Sequence, residues 1–251
     1  MYGRGGRIGL AILDSDLNIE GDMRRLLPDS VETHAARVIY PKVVTPENMA
    51  IAADGLDQAI DSLLAIRPMA IGWACTSGSF FGGIAGHRAI IERMKKRAGG
   101  VPVTTASESV VEALHALKLR RPAVGTPYSP EMNRRLGVFL QENGLEPHLP
   151  VAGLFPGTVD DYTMQDVEED RVADFIMSLD RPDCDSIVMS CTGMPTATIT
   201  PAIERRVGKP VITSNLAILW NCMRMGGSRS QPRADCALFR TLSSQGRKVP
   251  A

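Results

Sequence analysis

An α/β fold of two similar, doubly wound parallel-sheet domains related by a pseudo-twofold axis is what this chain of 251 residues predicts. Apolar strand-like runs alternate with amphipathic helical stretches from end to end, the pattern of strand–helix–strand crossovers. Landmarks of the first half return in the same order in the second, as a duplicated unit requires. With 44% hydrophobic residues the chain can bury one large core or two smaller ones.

The elements follow from short apolar runs bounded by turn residues and from helical periodicity between them. The first strand is read over Arg7–Leu13, ending at Asp14. The glycines of Gly3-Arg4-Gly5-Gly6-Arg7-Ile8-Gly9 come before it, whereas a dinucleotide-binding turn lies between strand and helix, so a flexible tail is expected there. A strand over His34–Tyr40, a helix over Ala52–Ala65, a strand over Met69–Ala74 and a helix over Ile84–Arg97 follow. Val101–Thr104 reads as strand and Ser107–Leu117 as helix. The second half repeats the alternation: strand Pro122–Thr126, helix Pro130–Asn143, strand Glu146–Leu154, helix Asp166–Leu179, strand Ser186–Ser190, helix Thr198–Val207, strand Pro210–Thr213, and a helix from Asn215 onward. The charged runs Glu92–Arg97 and Glu168–Arg171 read as solvated helix faces.

Three landmarks carry the duplication. Cys75-Thr76-Ser77-Gly78 recurs as Cys191-Thr192-Gly193-Met194, each after an apolar run. Val101-Pro102-Val103-Thr104-Thr105 recurs as Lys209-Pro210-Val211-Ile212-Thr213, each opening a helix. The first strand ends in Asp14-Ser15 and its counterpart in Tyr128-Ser129. The expected division is a first domain of residues 1–109 with 217–251, carrying Cys75, and a second of 110–216, carrying Cys191. Open sheets of this kind bind ligands beyond the carboxyl ends of their strands, so an active site is expected in the cleft between the two.

Composition narrows the function. The 28 basic and 28 acidic residues cancel and only 5% of residues are aromatic, which argues against nucleic acid as a partner. No segment approaches the ~20 apolar residues of a membrane span, and no signal peptide is recognised, so a cytoplasmic protein is expected. Five cysteines at irregular spacings argue for reduced thiols rather than disulfides. The four histidines are scattered, with none at ligand spacing from a cysteine or carboxylate, so no metal is expected. No phosphate-binding glycine loop follows a strand, so no nucleotide cofactor is expected either.

Cys75 and Cys191 are the candidate catalytic residues. A cysteine after an apolar strand is ordinarily a small hydrophobe. These two are set apart by their strand-to-helix turns, by the hydroxyl and glycine residues that follow, and by their repetition. Helix N-termini there would favour thiolates, and the N–H groups of Thr76, Ser77, Thr192 and Gly193 could hold a carboxylate or a developing enolate. Tyr128, at the position matching Asp14, could donate to a carboxylate from the cleft mouth. Asp14, Ser15, Asp16 and Asn18 cap a helix and line the same cleft. Cys184, Cys222 and Cys236 lack this context, and further pocket wall is expected from loops such as Phe155–Tyr162.

From Arg7-Ile8-Gly9-Leu10 to about Trp220 the chain resembles the Asp/Glu racemase superfamily, more narrowly its maleate cis-trans isomerase and arylmalonate decarboxylase branch. The resemblance is carried by Cys75-Thr76-Ser77-Gly78-Ser79, Pro102-Val103-Thr104-Thr105, Gly125-Thr126-Pro127-Tyr128, Met132-Asn133-Arg134-Arg135-Leu136 and Ser190-Cys191-Thr192-Gly193. It implies a cofactor-free site acting on a small carboxylate or amino-acid-like substrate, and self-association into a homo-oligomer. In the maleate isomerase pattern, Cys75 would add to an alkene carbon, Cys191 would exchange a proton, and Thr76, Ser77, Tyr128, Thr192 and Gly193 would hold carboxylates. The decarboxylases keep only the second cysteine, so Cys75 argues against that activity. Asp16 stands where the isomerases carry an asparagine, and Asp14-Ser15 resembles the racemase Asp-Ser pair. The alternatives are therefore a two-cysteine amino-acid racemase and a non-catalytic small-molecule-binding protein.

Overall fold

The computed structural model describes residues 3–245. Strand β1 (Gly6–Leu13) starts the first sheet, followed by helix α1 (Ile19–Leu26), β2 (Val31–Val38), α2 (Pro46–Asp54), α3 (Leu56–Leu64), β3 (Ala70–Ala74), α4 (Thr76–Phe80), α5 (Gly83–Ala98), β4 (Val103–Thr105) and α6 (Ala106–Ala116). The second series is β5 (Pro122–Thr126), α7 (Pro130–Glu142), β6 (His148–Gly153), α8 (Asp161–Gln165), α9 (Glu169–Ser178), β7 (Ser186–Met189), α10 (Thr200–Val207), β8 (Val211–Thr213), α11 (Ser214–Met225) and α12 (Ala237–Gln245). All strand pairs in the two sheets are parallel, and their orders are β2-β1-β3-β4 and β6-β5-β7-β8. Each sheet therefore places its first strand second and its second strand at an edge, as a repeated unit would. The expected α/β architecture of two like parallel sheets is the one observed.

The central strands β3, β5 and β7 are buried along their whole length, which is why they read as unbroken apolar runs. Edge strand β2 is buried only at its ends, so its polar first half carries no such signal and the strand begins three residues before His34. The helix expected over Ala52–Ala65 is two helices that meet at Gly55, where an added Cβ would lie 2.9 Å from Val38 Cγ1. Close approach to β2 turns the chain there. The N-terminal glycines are part of the fold rather than a loose tail: Gly5 N–H donates to Ser30 O at 2.7 Å, and Gly6 opens β1 with φ of 131°.

Helix α11 follows a strand of the second sheet but lies on the first. A Cβ on Gly72 of β3 would come 2.8 Å from Ile218 Cδ1 and 3.2 Å from Cys222 Sγ. Helices α6 and α11, which follow equivalent strands, also pack on one another. Beyond α11 the chain returns to the first half, where Arg233 N–H donates to Leu26 O at 2.8 Å. Among the described residues no helix is long and apolar enough to cross a membrane, and all five cysteines are free thiols.

Candidate active site

Cys75 follows β3 directly and caps α4. Its extended backbone turns Sγ towards the helix, where Gly78 N–H donates to it at 3.3 Å and Ser77 Oγ stands 3.8 Å away. Position 78 has no room for a side chain, since a Cβ would sit 2.8 Å from Cys75 Sγ. Cys191 follows β7, but the chain then runs as a loop until α10 begins at Thr200. The strand-to-helix turn expected on both sides therefore exists only at Cys75; Cys191 instead has Gly193 and Tyr128 beside it in the cavity wall.

Matching side chains hold the two cysteine turns. Ser107 and Asn215 occupy equivalent places at the starts of α6 and α11. Ser107 Oγ donates to Thr76 O at 2.9 Å, and Asn215 Nδ2 reaches Thr192 O at 3.1 Å. Thus each half fixes the carbonyl just after its cysteine from the helix that follows its last strand. The halves are also tied across, by Thr192 Oγ1 donating to Ala74 O at 3.0 Å and Thr76 Oγ1 to Ser214 Oγ at 3.0 Å. Only the Cys191 side adds a buried acid. Asp22 Oδ2 accepts from Thr196 N–H (3.0 Å), Thr196 Oγ1 (3.1 Å), Ala197 N–H (3.1 Å) and Asn215 Nδ2 (2.8 Å). With no regular structure in that loop, its backbone donors find their acceptor in a side chain of α1.

Both cysteines line one cavity of about 20 Å³, room for about one water molecule. Its wall comprises Leu13, Asp16, Val44, Cys75, Thr76, Ser77, Tyr128, Asp161, Gln165, Cys191, Thr192 and Gly193. Of the residues expected at the site, Asp16, Thr76, Ser77, Tyr128, Thr192 and Gly193 join the cysteines, while Asp14 and Ser15 stand outside the wall. Asp14 is bound by Lys42 Nζ at 2.5 Å, and Ser15 Oγ donates to Asp161. Tyr128 is buried rather than at the mouth, with Cys191, Cys75 and Thr76 in the same wall.

The loop Phe155–Tyr162 was expected at the wall, but sequence reasoning singled out neither Asp161 nor Gln165, which arrive on the five-residue α8. This segment straps the second half to the first. Val43 and Asp160 form an antiparallel bridge, Asp161 N–H donates to Lys42 O at 2.8 Å, Leu17 N–H donates to Gln165 Oε1 at 2.6 Å, and Asn18 Nδ2 reaches Gln165 O at 2.9 Å and Gly193 O at 2.7 Å. Gln165 Nε2 in turn donates to Asp161 Oδ2 at 2.7 Å. The pairing of aspartates at 160 and 161 was the only available signal, and it reads equally as a solvated turn.

Burial governs the ionisable groups. It pushes Cys75 up to about 12, against the pull of Gly78 N–H and Ser77, and it pushes Cys191 up as well, against Tyr128 and Gly193 N–H. Burial opposes the expected thiolate-favouring effect of the turns and favours the neutral form of both thiols. Asp16 rises from 3.8 to about 6, chiefly through burial, with the nearby Asp161 adding to the rise and two backbone N–H groups opposing it. Asp161 is raised by burial, against hydrogen bonds from Ser15 and Gln165, the nearby Tyr40 hydroxyl and the charge of Lys42.

No histidine lines this cavity. His87 packs on Phe139, meets Thr105 Oγ1 at 3.2 Å and is pushed down to about 4 by burial. His148, Asp183 and Cys184, distant in sequence, do converge, with ligand atoms within 4.8 Å of one another. They sit where β6 and β7 begin, at the ends of the strands opposite the cysteines. A larger groove of about 670 Å³ lies between α7 and β6, walled by residues such as Val138, Leu149 and Phe155, and shares Tyr128 with the cysteine cavity.

Two duplicated α/β units that each offer a cysteine to a common cavity define a protein of the Asp/Glu racemase-like group. The family model for arylmalonate decarboxylase matches residues 9–239, and the chain belongs to that family. It is 35% identical over 239 residues to arylmalonate decarboxylase of Bordetella bronchiseptica, covering 90% of this chain and 93% of that one. It is 24% identical over 230 residues to maleate isomerase of Pseudomonas putida, covering 87% and 90% respectively. Among solved structures, a liganded double mutant of arylmalonate decarboxylase superposes with a TM-score of 0.82 at 29% identity, covering 93% of this chain and 98% of that one. A maleate cis-trans isomerase mutant of Nocardia farcinica, solved with a covalently bound succinylcysteine intermediate, shares the fold with a TM-score of 0.81 at 21% identity, over 94% and 98%.

Proposed function

We propose that the protein is a cofactor-independent isomerase that acts on a small carboxylate through Cys75 and Cys191. The observation that carries this reading is that a thiol from each half lines a single cavity, with Tyr128 in the same wall. Relatives in both sequence comparisons are enzymes named for chemistry on small carboxylates. The second cysteine favours isomerisation over decarboxylation, because a reaction that only replaces a carboxyl by a proton needs one proton donor, whereas isomerisation uses two groups.

In this reading Thr76, Ser77, Tyr128, Thr192 and Gly193 supply the hydrogen-bond donors for the carboxylate and for charge that develops beside it. One sulfur, once deprotonated, either adds to an sp² carbon or takes a proton from an sp³ carbon, and the opposite thiol gives a proton to the other face. A maleate isomerase-like reaction uses the first route and an amino-acid racemase the second. The test is to assay Cys75→Ala and Cys191→Ala against a panel of small carboxylates in D₂O by proton NMR. Each variant should lose turnover entirely, with both directions disabled together. Substantial activity in either one overturns the paired mechanism.

A further inference from the structure

A second set of chemistry-bearing side chains lies outside the cysteine cavity, at the opposite ends of the strands. His148 is the first residue of β6, and Asp183 and Cys184 close the turn that leads into β7. Strand β5 runs between β6 and β7, so the two segments flank its start. An imidazole nitrogen, a carboxylate oxygen and a thiol sulfur there all lie within 4.8 Å of one another. Spacing along the chain conceals this, because parallel strands with crossover connections bring together residues far apart in sequence.

The three groups are not engaged with other residues. Nδ1 of His148 stands 3.7 Å from Oδ2 of Asp183, too far for a hydrogen bond, and no described residue hydrogen-bonds the Cys184 sulfur. Their backbone is nonetheless fixed. Cys184 N–H donates to Arg181 O at 3.2 Å, and Asp185 N–H donates to Arg121 O at 3.0 Å. The Asp185 carboxylate accepts from Arg120 N–H (2.7 Å), Arg121 N–H (2.9 Å) and the Ser186 hydroxyl (2.8 Å), so it anchors the turn and leaves the ligand set at three. Cys184 is 4% exposed, whereas the side chains of His148 and Asp183 are 37% and 68% exposed. The set therefore has a buried sulfur at its base and an open side towards solvent. A cavity of about 200 Å³ also opens on His148.

Ligand chemistry selects the ion. Ca²⁺ and Mg²⁺ take oxygen ligands, and a thiol with one carboxylate suits neither. Zn²⁺ accepts sulfur, nitrogen and oxygen at bonds of about 2.0–2.3 Å, which sets tetrahedral ligand atoms about 3.3–3.8 Å apart. The His148–Asp183 separation of 3.7 Å falls in that range, and both side chains are exposed enough to close on the sulfur. A thiolate and a carboxylate balance the charge of a divalent ion, with the imidazole neutral. Lys209 and Arg181 lie near the sulfur, but Lys209 is paired with Asp180 at 2.7 Å.

We propose that His148, Asp183 and Cys184 bind one Zn²⁺, with water in the fourth position, at a site separate from the cysteine cavity. As the S–Zn bond forms, the Cys184 thiol passes its proton to solvent. The ion ties the first residue of edge strand β6 to the turn before β7, two strands that do not pair with each other, and so stabilises the second half.

For the test, protein stripped with EDTA is titrated with ZnCl₂ against a chromophoric chelator and separately with CoCl₂. Because the cavity cysteines also offer thiols, the Cys75→Ser/Cys191→Ser double variant is titrated in parallel. Wild type and the double variant should each bind one Zn²⁺, and with Co²⁺ each should show a sulfur-to-metal charge-transfer band and tetrahedral d–d bands. His148→Ala and Cys184→Ser should weaken Zn²⁺ binding by about 100-fold or more, and Cys184→Ser should abolish the charge-transfer band of the double variant. At about 100 times its Kd, Zn²⁺ should raise the Tm of wild type by about 5–10 °C and leave that of His148→Ala unchanged. His148 is half-exposed, so its variant tests the site even if Cys184→Ser fails to fold. Zn²⁺ held by Cys184→Ser and lost by the double variant places the ion on the cavity cysteines and overturns the inference. Weak binding that neither His148→Ala nor Cys184→Ser changes means an adventitious ion only and overturns it too, as does no binding at all.

Discussion

Burial raises Asp16 from 3.8 to about 6, so the folded protein holds a proton there that the unfolded chain has already released. Its contribution to stability is complete below about pH 3.8 and is lost as pH climbs to about 6. Asp16→Asn keeps an oxygen for the Asn18 and Ile19 N–H groups and removes the charge. It should therefore stabilise the fold at pH 7.5 by about 2–3 kcal/mol and by much less at pH 4, as read by urea unfolding at the two pH values. The thiols give a second pH dependence. With Cys75 pushed up to about 12 and Cys191 also raised, the thiolate fraction grows with pH. From pH 7 to 9 kcat/KM should rise about tenfold per unit, and a flat or falling profile would contradict neutral resting thiols. Cys75 and Cys191 were legible as cavity residues because the duplication prints their turn twice, and Tyr128 because it follows the strand that repeats β1. The loop that carries Asp161 was expected at the wall, but Asp161 and Gln165 were not singled out, because they arrive on a single helical turn with no periodicity and no counterpart in the first half. Asp22 was hidden too, since an acid in the first turn of a helix ordinarily reads as a dipole partner.

Among elements, the loop 191–199 depends most on a neighbour. Its fixed shape comes from Asp22 on α1 and Asn215 on α11, which collect the N–H and carbonyl groups that a helix would have satisfied internally. Asp22→Ala leaves those buried donors without an acceptor and should cost about 2–4 kcal/mol by chemical denaturation. The variant should also label faster with iodoacetamide at Cys191 than at Cys75, because Asp22 holds the Cys191 loop and not the Cys75 turn. Equal acceleration at both sulfurs would show a general loosening instead. Buried central strands were readable as apolar runs, and Gly208 in its left-handed cap closes α10 close to where a helix stop was expected. The edge strand β2 and the broken helix at Gly55 were displaced or merged, because half-exposed strands mix polar residues in and a close approach to another strand leaves no local mark.

At the scale of the whole molecule, the two sheets do not form separable bodies. α11 leaves the second sheet to lie on β3, the chain after it returns to α1, and Asp22 of the first half anchors the Cys191 loop of the second. Thermal unfolding should follow a single transition whose calorimetric and van't Hoff enthalpies agree, despite the duplicated architecture. Two resolved transitions would mean that each half stands alone. The repeated strand order was foreseeable from three landmarks recurring in sequence. Which sheet a helix covers was not, because periodicity reveals that a helix has an apolar face and is silent about its neighbour.

The cavity between the sulfurs holds about one water while Asp161 and Gln165 are seated over it. On the proposed function, a substrate larger than one water needs the polar ties of Asp161 and Gln165 to part, which would make its traffic with bulk solvent intermittent. A hydrogen resting on sulfur would then pass to the bound molecule before it exchanges with solvent. Isotope taken up from outside should then be handed over one whole visit at a time, with part of the original hydrogen returned before the door next opens.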